Sequence, residues 1–369
     1  MATAPVLDLT GDLVALARTL CDTPSVSGDE RVLADAVEQA LRGLDHLEVL
    51  RDGDAVVART HLGRAERVVI AGHLDTVPVA GNLPSELRTT VLPDGTEQVE
   101  LWGRGTVDMK GGVAVQLALA AAVTAPTRDV TWVFYDQEEV EASRNGLGRL
   151  VRRHPEWVGG DFAVLCEPTR ADIEGGCNGT LRAEVRVTGR AAHSGRAWLG
   201  VNAIHGAAPV LERLADYQPR IVDVDGLHYR EGLNAVGIRG GIATNVIPDE
   251  CVVTVNYRFA PELSAEQAEA HVREVFSGFE VTVTDLAAGA RPGLNHPAAA
   301  SFAAAVAGLD GRPPRAKYGW TDVARFSELG VPAVNFGPGD PSLAHADDER
   351  CPVGDLTACF AGLQAWLTS

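Results

Sequence analysis

A glycine-rich turn that leads into an apolar segment constrains the fold of this chain more than any other part of its sequence. The turn lies in the stretch LWGRGTVDMKGG, residues 101–112, and carries one carboxylate, Asp108. Glycine allows sharp backbone turns and the close approach of other groups. The following residues, 109–123, are too apolar for an exposed helix, so we predict a buried helix there. The carboxylate on this turn is therefore either a helix cap or a ligand for a bound group.

Short apolar runs alternate with helical patterns in the first half of the chain and again near its end. The predicted strands are 46–51, 55–60, 67–72, 130–135, 162–166 and 332–336, and the predicted helices are 9–20, 29–44, 143–154, 297–309, 322–328 and 355–367. This alternation indicates an α/β domain, in which a mixed sheet lies between helices as an α/β/α arrangement. The tetrapeptide from Ser27 to Glu30 predicts a capping box for the second helix. Residues 81–98 are polar and rich in turn residues, so we expect a surface excursion there.

The pattern changes after residue 176. Residues 181–187 alternate between apolar and polar side chains, and further strands are predicted at 235–242, 251–259 and 280–286, with helices at 201–217 and 264–276. The order βαββαβ is typical of a small ferredoxin-like sandwich. A length of 369 residues is long for a single core. We therefore expect a larger domain of residues 1–176 and 291–369, with residues 177–290 inserted as a second domain.

Charge and cysteine content limit the partners and the location of the protein. The formal net charge of -18 argues against nucleic acids and anionic membrane surfaces as partners. The first 17 residues hold no lysine or arginine, and the apolar run near residues 113–125 is too short to span a bilayer. The six cysteines form no C-x-x-C pair, so we expect reduced thiols in a cytoplasmic protein.

Residues that can bind metal ions follow several of the predicted strands. They are His73, Glu138, Glu139, Glu167 and, after a longer loop, His345. In an open α/β sheet, ligands bind outside the carboxyl ends of the strands, so these side chains should meet at one place. With Asp108, the candidate ligands are His73, Asp108, Glu139, Glu167 and His345. Two imidazoles and three carboxylates suit two divalent ions that share one bridging carboxylate.

Each candidate ligand has a simpler interpretation when it is considered alone. The histidines could be ordinary core or surface residues, and the acidic residues could end strands or favour the first turn of a helix. Asp75 favours the metal interpretation, because a carboxylate two residues after His73 can orient a ligating imidazole. The joint occurrence of these residues, rather than any one of them, indicates a metal site.

Five segments resemble the di-zinc aminoacylase and desuccinylase family of metallohydrolases. The segments are GHLDTVP, GRGTVDMKGG, YDQEEVE, CEPT and AHADDE. The resemblance implies two Zn²⁺ ions per subunit, with Co²⁺ or Mn²⁺ able to substitute. It implies that His73, Asp108 and Glu167 bind one ion. It further implies that Asp108, as the bridge, binds the other ion together with Glu139 and His345.

The resemblance also implies roles for residues that do not bind metal. Glu138 is expected to be the general base, which takes a proton from water and returns it to the leaving amine. Asp75 is expected to orient His73, and the peptide bond between Asp108 and Met109 is expected to be cis.

In this family the inserted domain mediates dimerisation and contributes to the active site of the partner subunit. The resemblance implies that His193, in the segment AAHSGRAWLGVNAI, stabilises the oxyanion there. Asn245, Arg258 and Thr321 match substrate-contacting positions, and Arg258 could bind a substrate carboxylate through two hydrogen bonds. Taken alone, His193 could be a turn histidine and Arg258 a surface arginine of a strand. We therefore expect a homodimer with a small-molecule substrate.

Within this family, three segments resemble the actinobacterial-type succinyl-diaminopimelate desuccinylases. They are CDTPSVSGDE, HSGRAWLGVNAIH and GWTDVARF. The expected activity is hydrolysis of N-succinyl-LL-2,6-diaminopimelate to succinate and LL-2,6-diaminopimelate, in the synthesis of lysine and cell-wall precursors. One alternative is another N-acyl-amino-acid deacylase, such as acetylornithine deacetylase. The other is an inactive family member that serves as a binding protein, which would turn over no N-acyl amino acid.

Overall fold

The computed structural model describes residues 4–307 and 312–369. The helices are α1 (Leu13–Cys21), α2 (Arg31–Arg42), α3 (Lys110–Ala122), α4 (Gly146–Arg153), α5 (Pro155–Val158), α6 (Ala203–Gly206), α7 (Ala208–Ala215), α8 (Ala265–Val275), α9 (Pro297–Ala307), α10 (Val323–Glu328) and α11 (Val353–Thr368). The strands are β1 (Glu48–Asp52), β2 (Ala55–Arg59), β3 (Arg67–His73), β4 (Glu86–Val91), β5 (Glu97–Trp102), β6 (Asp129–Tyr135), β7 (Phe162–Leu165), β8 (Glu174–Gly175), β9 (Gly179–Thr188), β10 (Ala192–His193), β11 (Ile221–Val224), β12 (Leu227–Arg230), β13 (Gly232–Gly240), β14 (Val246–Ile247), β15 (Glu250–Phe259), β16 (Glu280–Ala287), β17 (Arg315–Ala316), β18 (Ala333–Asn335) and β19 (Arg350–Pro352).

The chain folds into two compact units. Unit 1 comprises Met1–Gly175, Pro292–Arg315 and Thr321–Ser369. Unit 2 comprises Gly176–Arg291 and Ala316–Trp320.

Unit 1 is built on a mixed sheet with the strand order β1-β2-β6-β3-β7-β18-β8-β17. On β3, Val68 and Ile70 join the apolar core to which α3 belongs. Val69 and Ala71 point to the opposite face because side chains alternate along a strand, and they are fully buried as well. A strand that is buried on both faces is typical of a sheet covered by helices on both sides. The mixed α/β prediction is confirmed for this unit.

The parallel strands of this sheet deliver their carboxyl ends to one edge. Strand β3 is parallel to β6, with His73 opposite Tyr135, and it is also parallel to β7, with Ala71 opposite Leu165. The residues that follow these three strands therefore leave the sheet side by side. This is the edge at which an open α/β sheet binds its ligands.

Unit 2 contains a four-stranded antiparallel sheet with the order β13-β15-β9-β16. The inward-facing residues of β9, at alternate positions from Leu181 to Val187, form a core with residues of β15, α7 and α8. Helix α8 begins with a complete capping box between Ser264 and Gln267. This strand order and these helices are those of a ferredoxin-like sandwich, as predicted from the sequence. On the edge strand β13, Val236 and Ile238 are exposed.

Two local predictions were wrong. Glu30 occupies the N-cap of α2 without a side-chain capping bond, and Ser27 donates to Asp75 instead, so the predicted capping box does not form. The predicted helix 201–217 is divided into α6 and α7, with a proline in the first turn of α7 that has no N–H to donate. By contrast, the surface excursion expected at residues 81–98 is confirmed, because most of these residues are exposed; it contains β4 and the start of β5, which pair as an antiparallel hairpin. Residues 308 and 309 of the helix predicted at 297–309 lie outside the described residues.

Among the described residues, no helix combines the length and the apolar character needed to cross a lipid bilayer. All six cysteines are buried, and none of them forms a disulfide in the described part of the chain. Burial raises the pKa of the Cys21 thiol to about 12 and also raises the pKa of the Cys251 thiol. These thiols are therefore held in their neutral form.

Candidate metal centre

The glycine-rich turn presents Asp108 at the edge of the unit 1 sheet. Gly103 and Gly105 have φ of 143° and 80°, which side chains disfavour. Gly112 allows α3 to approach the end of β7, because a Cβ there would overlap the Cys166 carbonyl oxygen. The peptide bond between Asp108 and Met109 is cis, as expected. Asp108 is thus fixed beside the strand end that precedes Glu167.

A buried carboxylate that the sequence analysis did not assign holds this turn. Glu349 accepts hydrogen bonds from the backbone N–H groups of Val107 (2.9 Å) and Asp108 (3.1 Å) through the same oxygen. Its other oxygen pairs with Arg104 at 2.8 Å, and both side chains are almost fully buried. Glu349 and Arg104 lie within two of the motif segments, but only their contacts across 245 positions reveal that they act together.

His73, the last residue of β3, is fixed through one ring nitrogen. Its Nδ1 lies 3.0 Å from the backbone oxygen of Asp75 and 3.4 Å from Oδ1 of the same residue. Its Nε2 lies 3.1 Å from Oδ1 of Asp108 and 4.0 Å from Oε1 of Glu167. Burial would lower the pKa of His73, but its hydrogen bonds to Asp108 and Asp75 raise that pKa well above its usual value. This environment favours a positive charge beside Nε2.

His345 approaches Asp108 from the other side. Its Nε2 lies 3.0 Å from Oε1 of Glu139 and 3.3 Å from Oδ2 of Asp108. These two carboxylates raise the pKa of His345 to about 10. Burial would raise the pKa of Asp108, but its bonds with His345 and His73 lower that pKa well below the usual range. The two oxygens of Asp108 therefore face two different imidazoles.

The ligand atoms form two compact groups that share Asp108. His73, Asp108 and Glu167 have one ligand atom each within 4.8 Å of one another, and so do Asp108, Glu139 and His345. Three carboxylates and two neutral imidazoles carry three negative charges, which two divalent cations would more than balance. Nitrogen and oxygen donors of this kind are those that Zn²⁺ accepts. The residues present therefore fit a pair of ions on both geometry and chemistry.

Glu138 also lies near the ligands. It forms a third group within 4.8 Å with His73 and Glu139, so distance alone leaves it as a further possible ligand. The residue is partly exposed, yet its carboxyl group is crowded by protein atoms, and this burial raises its pKa well above the usual value. The charge of His73 lowers that pKa, while the nearby Asp322 and Glu167 raise it further.

One carboxylate orients both glutamates of this loop. Asp75 is fully buried and accepts the backbone N–H of Glu138 at 3.0 Å and that of Glu139 at 3.1 Å. Asp75 also contacts His73, so it connects the loop after β3 to the loop after β6. The carboxylate two residues after the histidine, noted in the sequence, thus supports both sides of the candidate site.

The remaining predicted site residues are distributed between the two units. His193 is exposed on unit 2, where its Nδ1 accepts the N–H of Gly195 at 3.0 Å. Asn245 and Arg258 also belong to unit 2. Arg258 is half-buried and donates to Asn256 at 3.2 Å. Thr321 is buried in unit 1, and its hydroxyl lies 2.9 Å from the Asn335 side-chain oxygen.

Known proteins resemble this chain over nearly its whole length. Residues 69–369 match peptidase family M20/M25/M40. A Mycobacterium tuberculosis protein whose name assigns it provisionally as the succinyl-diaminopimelate desuccinylase DapE is 54% identical, and the alignment covers 98% of this chain and 99% of that protein. A Corynebacterium glutamicum protein named succinyl-diaminopimelate desuccinylase is 46% identical over 99% of this chain and 98% of that protein.

Solved structures share the fold. A tripeptidase from Staphylococcus aureus superposes with a TM-score of 0.76, although only 21% of its residues are identical. The match covers 98% of both chains. At this level of identity the similarity concerns the fold alone.

Proposed function

Because the chain belongs to peptidase family M20/M25/M40, we propose that it is a metal-dependent amidohydrolase with succinyl-diaminopimelate desuccinylase activity. It hydrolyses the amide of N-succinyl-LL-2,6-diaminopimelate to succinate and LL-2,6-diaminopimelate, in the synthesis of lysine and cell-wall precursors. One observation carries this proposal, namely the 46% identity to the Corynebacterium desuccinylase over almost the full length of both chains.

The proposed cofactor is a pair of Zn²⁺ ions in unit 1. His73, Asp108 and Glu167 would hold one ion, and Asp108, Glu139 and His345 would hold the other. When bound, such ions polarise an amide carbonyl and make a water molecule more acidic. The shared position of Asp108 between the two imidazoles supports its role as the bridging ligand.

Glu138 is the proposed general base. One of its carboxylate oxygens accepts a proton from the attacking water, and it later donates this proton to the nitrogen of the leaving amine. A group that carries a proton back and forth cannot remain tightly bound to a metal ion, so we assign ligation to its neighbour Glu139. Asp75 keeps both residues in place by accepting their N–H groups.

The inserted residues 177–290 are proposed as a dimerisation and lid domain, with residues 1–176 and 291–369 as the catalytic domain. His193 is assigned to oxyanion stabilisation in the partner subunit's active site. The exposed apolar side chains on β13 support a homodimer, because an unpaired edge strand of this kind is an association surface. We assign Arg258, Asn245 and Thr321 to substrate binding and propose a cytoplasmic location for the protein.

Steady-state kinetics with the zinc-loaded protein test this function. We expect N-succinyl-LL-2,6-diaminopimelate to give a kcat/KM well above that for N-acetylornithine. The reverse order would identify an acetylornithine deacetylase, and no turnover of any N-acyl amino acid with both metals bound would identify an inactive binding protein. As an internal control, Glu138→Ala should lower kcat by about 10²–10⁴-fold. Two metal equivalents should remain bound, and loss of one would make Glu138 a ligand instead.

A further inference from the structure

The segment of residues 25–30 precedes α2 and lies against the loop after β3. Val26 and Thr76 form a parallel β-bridge. The Ser25 hydroxyl donates to the Leu74 carbonyl at 2.6 Å. The Ser27 hydroxyl donates to Oδ2 of Asp75 at 2.7 Å. Both the backbone and the side chains of this segment therefore bind the loop that carries Asp75.

The same segment also reaches the loop after β6. Oε1 of Glu30 accepts the backbone N–H of Gly28 at 2.8 Å and that of Gln137 at 3.1 Å. Glu30 is fully buried, although its neighbours in sequence are exposed. Burial raises the pKa of the Glu30 carboxyl. A buried carboxyl group that accepts a hydrogen bond across 107 positions is a structural connection, not a solvated surface acid.

Three consecutive backbone N–H groups of the loop after β6, which carries the proposed base Glu138, thus donate to two buried carboxylates. Glu30 accepts the first, from Gln137, and Asp75 accepts the next two, from Glu138 and Glu139. Gln137 has a φ of 58°, a left-handed conformation that a residue with a side chain adopts only when its surroundings enforce it. The acceptor oxygen of Glu30 is one of the groups that enforce it here.

We propose that Ser27 and Glu30 are positioning residues, which fix the loop of Gln137, Glu138 and Glu139 in its working conformation. The proposal rests on the proposed function, since it presumes that Glu138 is the base. The residues that resemble a capping box at the start of α2 serve this loop instead of the helix. Ser27 acts through Asp75, and Glu30 acts directly on the residue before the base.

Placement of a catalytic group has a large effect on rate, because a displacement of about 1 Å can lower activity by about 10²-fold. Removal of an outer partner of a metal site lowers metal affinity or activity by about 10–100-fold. Glu30 does not contact the substrate in this proposal, so its loss should lower kcat and leave KM within about twofold.

Glu30→Met tests the proposal by removing the acceptor oxygens at similar side-chain length. We expect kcat for N-succinyl-LL-2,6-diaminopimelate to fall by about 10–100-fold, with two equivalents of Co²⁺ still bound in calorimetry. Glu30→Gln keeps one acceptor oxygen, so it should recover most of this loss. Asp29→Asn is the matched control, because Asp29 is an exposed carboxylate in the same segment, and it should behave as the wild type.

Hydrogen exchange gives a readout that does not depend on turnover. A peptide that spans residues 136–141 should exchange its amide protons at least about tenfold faster in Glu30→Met than in the wild type or in Asp29→Asn. Unchanged exchange together with unchanged kcat would overturn the proposal. Equal losses of kcat in the Met and Gln variants, accompanied by a lower melting temperature, would also overturn it, since that result describes a purely structural residue.

Ser27→Ala keeps the proposal testable if Glu30→Met does not fold. It removes only the hydroxyl that donates to Asp75, so kcat should fall by about 10-fold. The amide protons of residues 136–141 should also exchange faster than in the wild type. Wild-type values for both measurements would count against the proposal. If the wild type itself hydrolyses no N-acyl amino acid, the proposed function fails. The exchange comparison then decides separately whether these residues hold the loop.

Discussion

Removal of the negative charge from Glu349 should destabilise unit 1 strongly. The Glu349 and Arg104 side chains are exposed by only 1% and 4%, and their atoms lie 2.8 Å apart. In Glu349→Gln the guanidinium of Arg104 stays charged, because arginine does not deprotonate in proteins. The carbonyl oxygens of Pro78 and Ala346 remain as its acceptors, but they supply no negative charge. An ion pair broken in this way costs about 3–5 kcal/mol.

The opposite substitution should cost less. In Arg104→Met the buried Glu349 can take up a proton and become neutral, and burial already raises its pKa, although the N–H groups of Val107 and Asp108 lower it. A carboxyl whose pKa is higher in the folded chain than in the unfolded chain stabilises the fold fully below the unfolded value of about 4.3. This contribution is lost as the pH rises through the folded pKa. Arg104→Met should therefore lose stability progressively above about pH 4.3.

Thermal unfolding followed by circular dichroism measures these effects. For a unit of about 250 residues, 1 kcal/mol corresponds to a Tm shift of about 2–4 °C, so Glu349→Gln should lower Tm by about 6–20 °C. Arg42, an exposed residue of α2 that pairs with the half-buried Glu38, provides the control, and Arg42→Met should shift Tm by less than about 4 °C. The reasoning is refuted if Glu349→Gln shifts Tm no more than Arg42→Met, or if Arg104→Met is the more damaging of the two buried substitutions.

Three further predictions concern the metals, the substrate and the dimer. Chelation should abolish turnover and leave the far-ultraviolet circular dichroism spectrum nearly unchanged, because the ligands lie at strand ends outside a large apolar core; collapse of the spectrum would contradict this. Arg258→Lys keeps the charge but loses the planar fork of donors, so it should raise KM or lower kcat/KM, and wild-type kinetics would remove Arg258 from the site. A mixture of His193→Ala and Glu138→Ala chains should recover about a quarter of wild-type activity if His193 acts in the partner subunit, since half of the dimers are mixed and half of their sites are complete. Activity no higher than that of the separate variants, with mixed dimers verified by mass, would place His193 in its own subunit's site.

The sequence predicted the parts of the fold that depend on local patterns. Strand β3 of unit 1 is a continuous apolar run, whereas β9 and most of β15 in unit 2 alternate between buried and less buried residues, so both strand patterns can be recognised in the sequence. Because the strands could be predicted, metal-binding side chains directly after them, such as His73, could be assigned to the edge where the carboxyl ends of the strands meet. The hairpin of β11 and β12 was not predicted, because its residues alternate over only four positions on each side.

Long-range partners explain why the predicted capping box was wrong. Ser27 and Glu30 have the spacing of a capping box, yet their oxygens bind groups in the loops after β3 and β6. The role of Glu349 is equally invisible in the sequence, since its partners lie more than 240 positions away. A capping-box motif describes only the spacing of two residues. It does not show whether a group distant in the sequence, such as Asp75 or the N–H of Gln137, binds their side chains instead.

The burial of all six cysteines has a consequence for zinc in the unfolded chain. The folded chain offers nitrogen and oxygen donors at the candidate centre, and its thiols lie in the interior. Unfolding releases these thiols, and thiolates are soft ligands that bind Zn²⁺ tightly. A ligand that binds both the native site and the unfolded chain stabilises the fold less than a ligand that binds the native site alone with the same affinity. Excess zinc during refolding should therefore trap misligated chains, so that refolding first and adding metal afterwards recovers more native protein.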